Sequence, residues 1–311
     1  MSTAFVFPGQ GSQAVGMGKA LYETFAVSRA VFEEVDAALG QNLTKLMFEG
    51  PSDELTLTAN AQPALMAVSL AALRALEAEK GVDLARDAAF VAGHSLGEYS
   101  ALAAAGALSI SDTAKLLRIR GNAMQKAVPV GLGGMAALIG ATKEQALEVA
   151  AEAAQGEVCE LANDNGGGQV VISGHKTAIE RAIPIAQGRG IRRAMPLPVS
   201  APFHCSLMKP AADAMAEALA GATIVAPRVP LVANVLASAI SDPAQIRARL
   251  VEQVTGSVRW AESMAWLGQQ GVTRFVEIGA GKVLSGLVKR IVDGATAANV
   301  ASPDDINGYT A

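Results

Sequence analysis

The sequence predicts an α/β protein, a parallel sheet covered by helices on both faces and interrupted by a smaller α/β unit. With 51% hydrophobic side chains among 311 residues, the chain can bury a large core or two ordinary ones. Short β-type runs alternate with helical stretches up to about residue 127 and again from about 199, as in a sheet whose strands are joined by crossover helices. Between these limits the order changes to strand, helix, strand, strand, helix, strand. The expected division is therefore 1–127 with 199–311 as the main unit and 128–198 as the insertion.

Taken in order, Thr3 to Phe7 forms a strand, PGQGSQ a glycine-rich turn, and Met17 to Leu39 a helix. Leu65, Val68, Leu73 and Leu76 lie at helical spacing within Asn60 to Lys80, and Gly81 suits the end of that helix. Ala88 to Ala92 is a brief strand, and Leu96 to Ala105 returns to helical composition. Ser111 and Asp112 suit the cap of a helix that runs to Lys126 and stops before Pro129. In the insertion, GMAALIG, VCELAND, QVVISG and Arg192 to Leu197 read as strands and TKEQALEVAAEAAQ and the stretch from Lys176 as helices. That order is the split βαβ or ferredoxin-like arrangement, with Gly166 to Gly168 expected as its hairpin turn. Beyond it come a helix from Lys209 to Ala220, a strand from Val229 to Asn234, helices at Gln245 to Val254 and Trp260 to Gln270, a strand from Arg274 to Ile278 and a helix opened by GAGKVLSGLVKRI. ASPDDINGYTA reads as a tail.

Composition excludes several classes of function. The net charge of −4 comes from interspersed acids and bases, with no cationic run to follow a phosphate backbone, so nucleic acid is not an expected partner. Apolar runs such as ALMAVSLAALRAL are broken by Arg74 well short of a membrane span. MSTAFVFPGQGSQ has no basic leader and no cleavage pattern, and the expected location is cytoplasmic. Cys159 and Cys205 have no CxxC spacing, so neither a disulfide framework nor a metal site is expected.

The chemistry centres on Gly93-His94-Ser95-Leu96-Gly97. G-x-S-x-G between a strand and a helix is the setting of a nucleophile elbow, a turn that leaves the serine hydroxyl at a helix N-terminus. The alternative is a glycine-rich turn whose serine only caps the helix. A serine needs a base, and the chain has three histidines. His94 adjoins Ser95, where successive side chains point opposite ways, and is expected beneath the turn. His175 sits at a strand-to-helix junction of the insertion as a solvated neighbour of a helix cap. His204, in VSAPFHCSLMKP, lies C-terminal to the serine, where hydrolase order puts the base. Its alternatives are a histidine satisfied within a loop, or a pair with Cys205. No acid stands at the end of a main-sheet strand. Since loss of a triad aspartate costs about 10⁴ in rate, something else must orient the ring, and a backbone carbonyl can do so.

PGQGSQ, GHSLGEYSAL, RGNAMQ, PFHCSLMKPAA, QVTGSVRW and EIGAGKVLSGLVKRI together make the chain resemble the malonyl-CoA:acyl carrier protein transacylases from end to end. The resemblance implies an α/β-hydrolase-like core with a ferredoxin-like subdomain inserted. It implies Ser95 as the acyl-enzyme nucleophile, His204 as its base and the backbone carbonyl of Gln253 as the group that orients the imidazole. Gln10 and Leu96 would supply backbone N–H groups to an oxyanion hole. Arg120 would hold the free malonyl carboxylate, as an arginine fork suits, with Met124 one turn on lining the same pocket. The alternative for Arg120 is a surface ion pair, the usual fate of a helix arginine and the one expected of Arg118. Phe203 and Leu96 resemble the malonyl-selective pattern, whose bulk crowds the place of an α-methyl. Many bacterial relatives have serine where Phe203 stands. Asn163 is expected to face the cleft between subdomains. For Gly166 to Gly168 the alternative to a hairpin turn is a loop that approaches a pantetheine or phosphate.

The resemblance further implies a monomer that uses a CoA thioester and the phosphopantetheine thiol of an acyl carrier protein, without metal or redox cofactor, to supply fatty acid synthesis. Alternatives are a freestanding acyltransferase serving a polyketide synthase, a serine-dependent acyl-CoA thioesterase, and a noncatalytic carrier-protein-binding subunit.

Overall fold

The computed structural model describes residues 2–310. Along them run the strands β1 (Ser2–Phe7), β2 (Phe90–Gly93), β3 (Gly133–Ile139), β4 (Cys159–Asp164), β5 (Gln169–His175), β6 (Arg193–Pro196), β7 (Leu231–Ala233), β8 (Ser238–Ile240), β9 (Val272–Ile278) and β10 (Thr296–Val300). They form two sheets. One has the order β10-β9-β1-β2-β7-β8, and all its pairings are parallel except β7 with β8 at the edge. The other has the order β4-β5-β3-β6 and is antiparallel throughout. The protein is thus mixed α/β, a parallel-sheet core beside a separate antiparallel sheet.

The central strands of the parallel sheet are buried runs with no alternation, as expected where helices cover both faces. The helix Thr58–Lys80 is buried around most of its circumference between the sheet and its neighbouring helices, which is why its sequence is apolar on every side. Phe7 pairs with Gly93 where β1 and β2 end, so the PGQGSQ and GHSLG loops leave the sheet side by side.

The antiparallel sheet follows period two. Val170 and Ile172 face its own helices, Lys143–Ala154 and Lys176–Gly188, while Val171 and Met135 join the core of the larger body. Backbone bonds cross the junction as well: Asp164 N–H donates to Val258 O at 3.0 Å, and Val258 N–H to Ala162 O at 2.9 Å.

Several elements differ from expectation. Met17 to Leu39 is two helices, Lys19–Thr24 and Ala26–Leu39, because Phe25 is extended between them; Tyr22 then packs edge-on against Phe32 and Phe48. The helix Ile110–Ala127 is capped by Ser109, whose Oγ accepts from Asp112 N–H, while Ser111 bonds Glu34 instead. The strand expected from Val229 to Asn234 shortens to β7. The edge strands β8 and β10 were not expected, being very short in one case and low in large apolar residues in the other. The expected tail contains a helix, Pro303–Asn307, that Ser302 caps and that buries Ile306.

Candidate active site

Ser95 occupies the left-handed region, φ 53°, on the turn between β2 and the helix Gly97–Ala104. Both flanking glycines are required by space. A Cβ on Gly93 would lie 1.8 Å from Gly97 O, and one on Gly97 would lie 2.3 Å from Phe7 O. Asn234, at the end of β7, holds the turn: its Oδ1 accepts from Ser95 N–H at 2.8 Å and its Nδ2 donates to Gly93 O at 2.7 Å.

His204 Nε2 lies 2.7 Å from Ser95 Oγ. Its Nδ1 faces two main-chain carbonyls, Gln253 O at 2.9 Å and Gly256 O at 3.1 Å. Carbonyls only accept, so Nδ1 carries the hydrogen and the Nε2 lone pair is left for the serine proton. Burial, with the Arg120 charge adding to it, pushes the His204 pKa down to about 3. The ring is therefore neutral at ordinary pH, the form a base requires.

Arg120 comes in from the helix Ile110–Ala127 and is 1% exposed. Its Nη1 donates to Gln62 Oε1 at 2.8 Å, and its Nη2 to Gln253 Oε1 at 2.8 Å and Ser95 Oγ at 3.1 Å. Every acceptor is neutral. Among the described residues no ion pair reaches this guanidinium, and burying a cation without an anion in contact is expensive. The guanidinium beside the serine thus has only neutral partners.

These groups open on a cavity of about 410 Å³. Ser95, His204, Gln10, Leu96, Arg120, Met124, Phe203 and Asn163 all line it, whereas Gln253 stands behind His204. Neither the Gln10 nor the Leu96 main-chain N–H donates within the protein among the described residues, and Leu96 stands at the N-terminus of the elbow helix. Met124 Sδ lies 3.8 Å from Gln62 Nε2, and Phe203 is 9% exposed.

The other sequence candidates separate from this group. His94 bonds Asn165 Oδ1 through Nε2 at 2.8 Å and packs beside Trp260, and it also forms part of the cavity wall. His175 accepts from Val158 N–H at 2.9 Å through Nδ1 and caps its helix only by position. Cys205 donates to Pro202 O, and burial pushes its thiol up to about 11, which keeps it protonated. Arg118 does not form the expected surface ion pair: it is half-buried and bridges Asn60 and Gln41, because its side of the helix packs against neutral amides. Gly166 to Gly168 form a hairpin turn packed on Arg290 and Ile291. Gln62, Glu98, Asn234 and the Gln253 side chain were missed. Their one sequence signal is a polar residue inside an apolar element, as in NAQPALM or LVAN.

Among the described residues no cluster of His, Cys, Asp and Glu can hold a metal ion, and no helix is long and apolar enough to cross a membrane. Residues 4–303 match the family model of the acyl transferase domain. A relative from Salmonella typhimurium, malonyl CoA-acyl carrier protein transacylase, is 47% identical over 300 residues, 96% of each chain. The crystal structure of acyl-carrier-protein-S-malonyltransferase from Bartonella henselae superposes with a TM-score of 0.96 at 55% identity, covering 99% of this chain and 98% of that one. A type II PKS acyl-carrier protein in complex with its malonyl-transacylase gives a TM-score of 0.95 at 43% identity over 99% of this chain and 98% of that one.

Proposed function

The chain belongs to the acyl transferase domain family, and on that premise we propose that it is an acyl carrier protein S-malonyltransferase working through a malonyl-serine intermediate. The observation that carries this reading is Arg120, a buried guanidinium without a carboxylate in contact, 3.1 Å from the nucleophile oxygen. A malonyl group bound at Ser95 supplies the missing anion. Each hydrogen bond to that charge contributes about 1.5 to 3 kcal/mol, enough to favour malonyl over acyl groups that lack a carboxylate.

In the first half-reaction Ser95 Oγ attacks the thioester carbonyl of malonyl-CoA as His204 Nε2 takes its proton. The imidazolium formed keeps its Nδ1–H on Gln253 O and Gly256 O, in the role an aspartate has elsewhere. The Gln10 and Leu96 amides receive the oxyanion. The imidazolium then returns its proton to the departing CoA sulfur. In the second half-reaction the phosphopantetheine thiol of the carrier protein loses its proton to His204 and attacks the malonyl ester; the Ser95 C–O bond breaks, and the imidazolium returns the proton to Ser95 Oγ. Met124 and Phe203 shape the acyl pocket, Phe203 and Leu96 crowd the place of an α-methyl, and Asn163 meets the acyl or pantetheine group from the antiparallel sheet. Side chains and amides suffice for every step, so no metal or cofactor is needed.

The elbow at the end of a parallel strand supports an α/β-hydrolase-like core. The order β4-β5-β3-β6, with both helices on one face, supports a ferredoxin-like insertion. The protein acts as a cytoplasmic monomer that feeds fatty acid synthesis; the carrier-protein complex of the similar transacylase supports a carrier protein as acceptor.

The test is loading with labelled malonyl-CoA and no acceptor. Label should appear on Ser95, persist in water and discharge onto holo carrier protein. Rapid decay in water alone would mark a thioesterase, and comparing fatty acid with polyketide carrier proteins identifies the pathway.

A further inference from the structure

Arg120 has no carboxylate in contact, yet one lies a single amide away. Glu98, in the first turn of the helix Gly97–Ala104, is 1% exposed. Its Oε2 accepts from Asn234 N–H at 3.1 Å and from Gln253 Nε2 at 2.8 Å, and its Oε1 has no partner. The same Gln253 amide turns its Oε1 to Arg120 Nη2 at 2.8 Å. A carboxylate on one side and a guanidinium on the other leave that amide one orientation, since the flipped form would set donor against donor and acceptor against acceptor.

We propose that Glu98 is the resident counter-charge of the Arg120 receptor, acting through the Gln253 side chain, and that it takes up a proton from solvent when the malonyl carboxylate settles on the guanidinium. This rests on the reading of Arg120 as the malonyl receptor. Two carboxylates that share one buried cation cannot both stay ionised cheaply. The incoming one touches the guanidinium and Glu98 does not, so Glu98 is the one to be neutralised, at its unpartnered Oε1.

Burial already holds the Glu98 carboxyl at about 7, with the Asn234 and Gln253 bonds and the Arg120 charge opposing it. Arg120 faces it from the helix Ile110–Ala127. Tyr99, on its own helix, is kept neutral by burial, and His204 beyond Arg120 is neutral as well. Asn234 from the end of β7 and Gln253 from the helix Pro243–Thr255 carry no charge. The sign follows. As pH rises through about 7, Glu98 ionises in the empty site, malonyl must then draw the proton back, and malonyl loading weakens relative to acetyl loading, which brings no carboxylate.

The experiment measures first-turnover release of CoA from malonyl-CoA and from acetyl-CoA, whose shared CoA cancels in the ratio. In the wild type the malonyl-to-acetyl ratio should fall about fivefold or more between about pH 7 and pH 9. In Glu98→Gln, which mimics the protonated acid, it should be flat. An unchanged slope in Glu98→Gln, or a flat wild-type ratio, overturns the proposal. If the variant does not fold, proton uptake by the wild type at about pH 8 decides: more protons per site with malonyl-CoA than with acetyl-CoA supports the proposal, and equal uptake overturns it. A flat wild-type ratio together with lost malonyl preference in Arg120→Ala removes the counter-charge and spares the receptor. Malonyl loading undiminished in Arg120→Ala removes both.

Discussion

The two sheets meet at one cavity and contribute differently to it. From the parallel sheet come Gln10 after β1 and Ser95 after β2, with Asn234 after β7 holding the elbow from behind, and the helices around it bring Arg120 to the wall and Gln253 behind it. The antiparallel sheet lends Asn163 and Met135 to the wall and Asn165 to the support of His94. Strand direction explains the contrast. Parallel strands finish on the same side, so their following loops converge and can hold several groups to one centre. Antiparallel strands send successive loops to opposite sides, and this sheet offers the cavity a face. The parallel sheet and its helices thus gather the polar groups, while Met124, Phe203 and the antiparallel sheet's Asn163 and Met135 wall the cavity, a division that substitutions can break.

The largest effect is expected at Ser95. Ser95→Ala should lose malonyl loading altogether and about 10⁴-fold or more of transfer, with the fold intact by circular dichroism. Transfer at the wild-type rate would mean that the elbow is only a turn. Arg120→Ala comes next. Removing one partner of a buried charge pair costs about 3 to 5 kcal/mol, so malonyl kcat/KM should fall by about 10² to 5 × 10³, while acetyl transfer gains relative to it. Unchanged malonyl kinetics would refute its role as receptor.

How much of this was legible depended on where the information lay. Alternating strands and helices, the strand-helix-strand-strand-helix-strand order and the G-x-S-x-G turn are local patterns, and the antiparallel sheet is drawn from one continuous stretch, residues 133–196. Elimination among three histidines pointed to His204, and the structure sets its Nε2 2.7 Å from Ser95 Oγ. The carbonyl of Gln253 has no sequence signature, since every residue has one, and only the family resemblance pointed to it. Arg118 and Arg120 are two positions apart, which on a helix sets them on different faces. Which arginine turns inward is decided by the packing of the helix against Thr58–Lys80, and that same packing brings Gln62 to Arg120 and Asn60 to Arg118. Glu98 looked like any glutamate in a first turn. Its burial appears only once Asn234 and Gln253 close over it from residues far along the chain.

Fit should respond more gently than chemistry. Phe203 is 9% exposed on the cavity wall, and opening that wall admits one more methyl group. Phe203→Ser should raise methylmalonyl-CoA acceptance relative to malonyl-CoA by about tenfold, the scale of one methylene in an apolar pocket. Competition between the two CoA thioesters measures this. An unchanged preference would move selectivity from the wall to Leu96 and the chemistry side.

The smallest effect tests whether the antiparallel sheet must be held at its angle. Lys143, at the start of the helix Lys143–Ala154, meets Glu262 Oε1 across the junction at 2.7 Å, and Glu262 also pairs with Arg259. Arg259 first, then Lys143, hold the Glu262 carboxyl at about 2 against the opposing effect of burial. Both Lys143 and Glu262 are 34% exposed, however, so solvent screens the pair, and it contributes no more than about 1 kcal/mol. The Val258 backbone bonds and the packing of Met135 and Val171 remain without it. Lys143→Met should therefore lower Tm by about 4 °C at most and leave kcat and both KM values within about twofold. A tenfold loss would mean that one surface ion pair sets the angle of the junction, and the antiparallel sheet would then share in positioning the reacting groups.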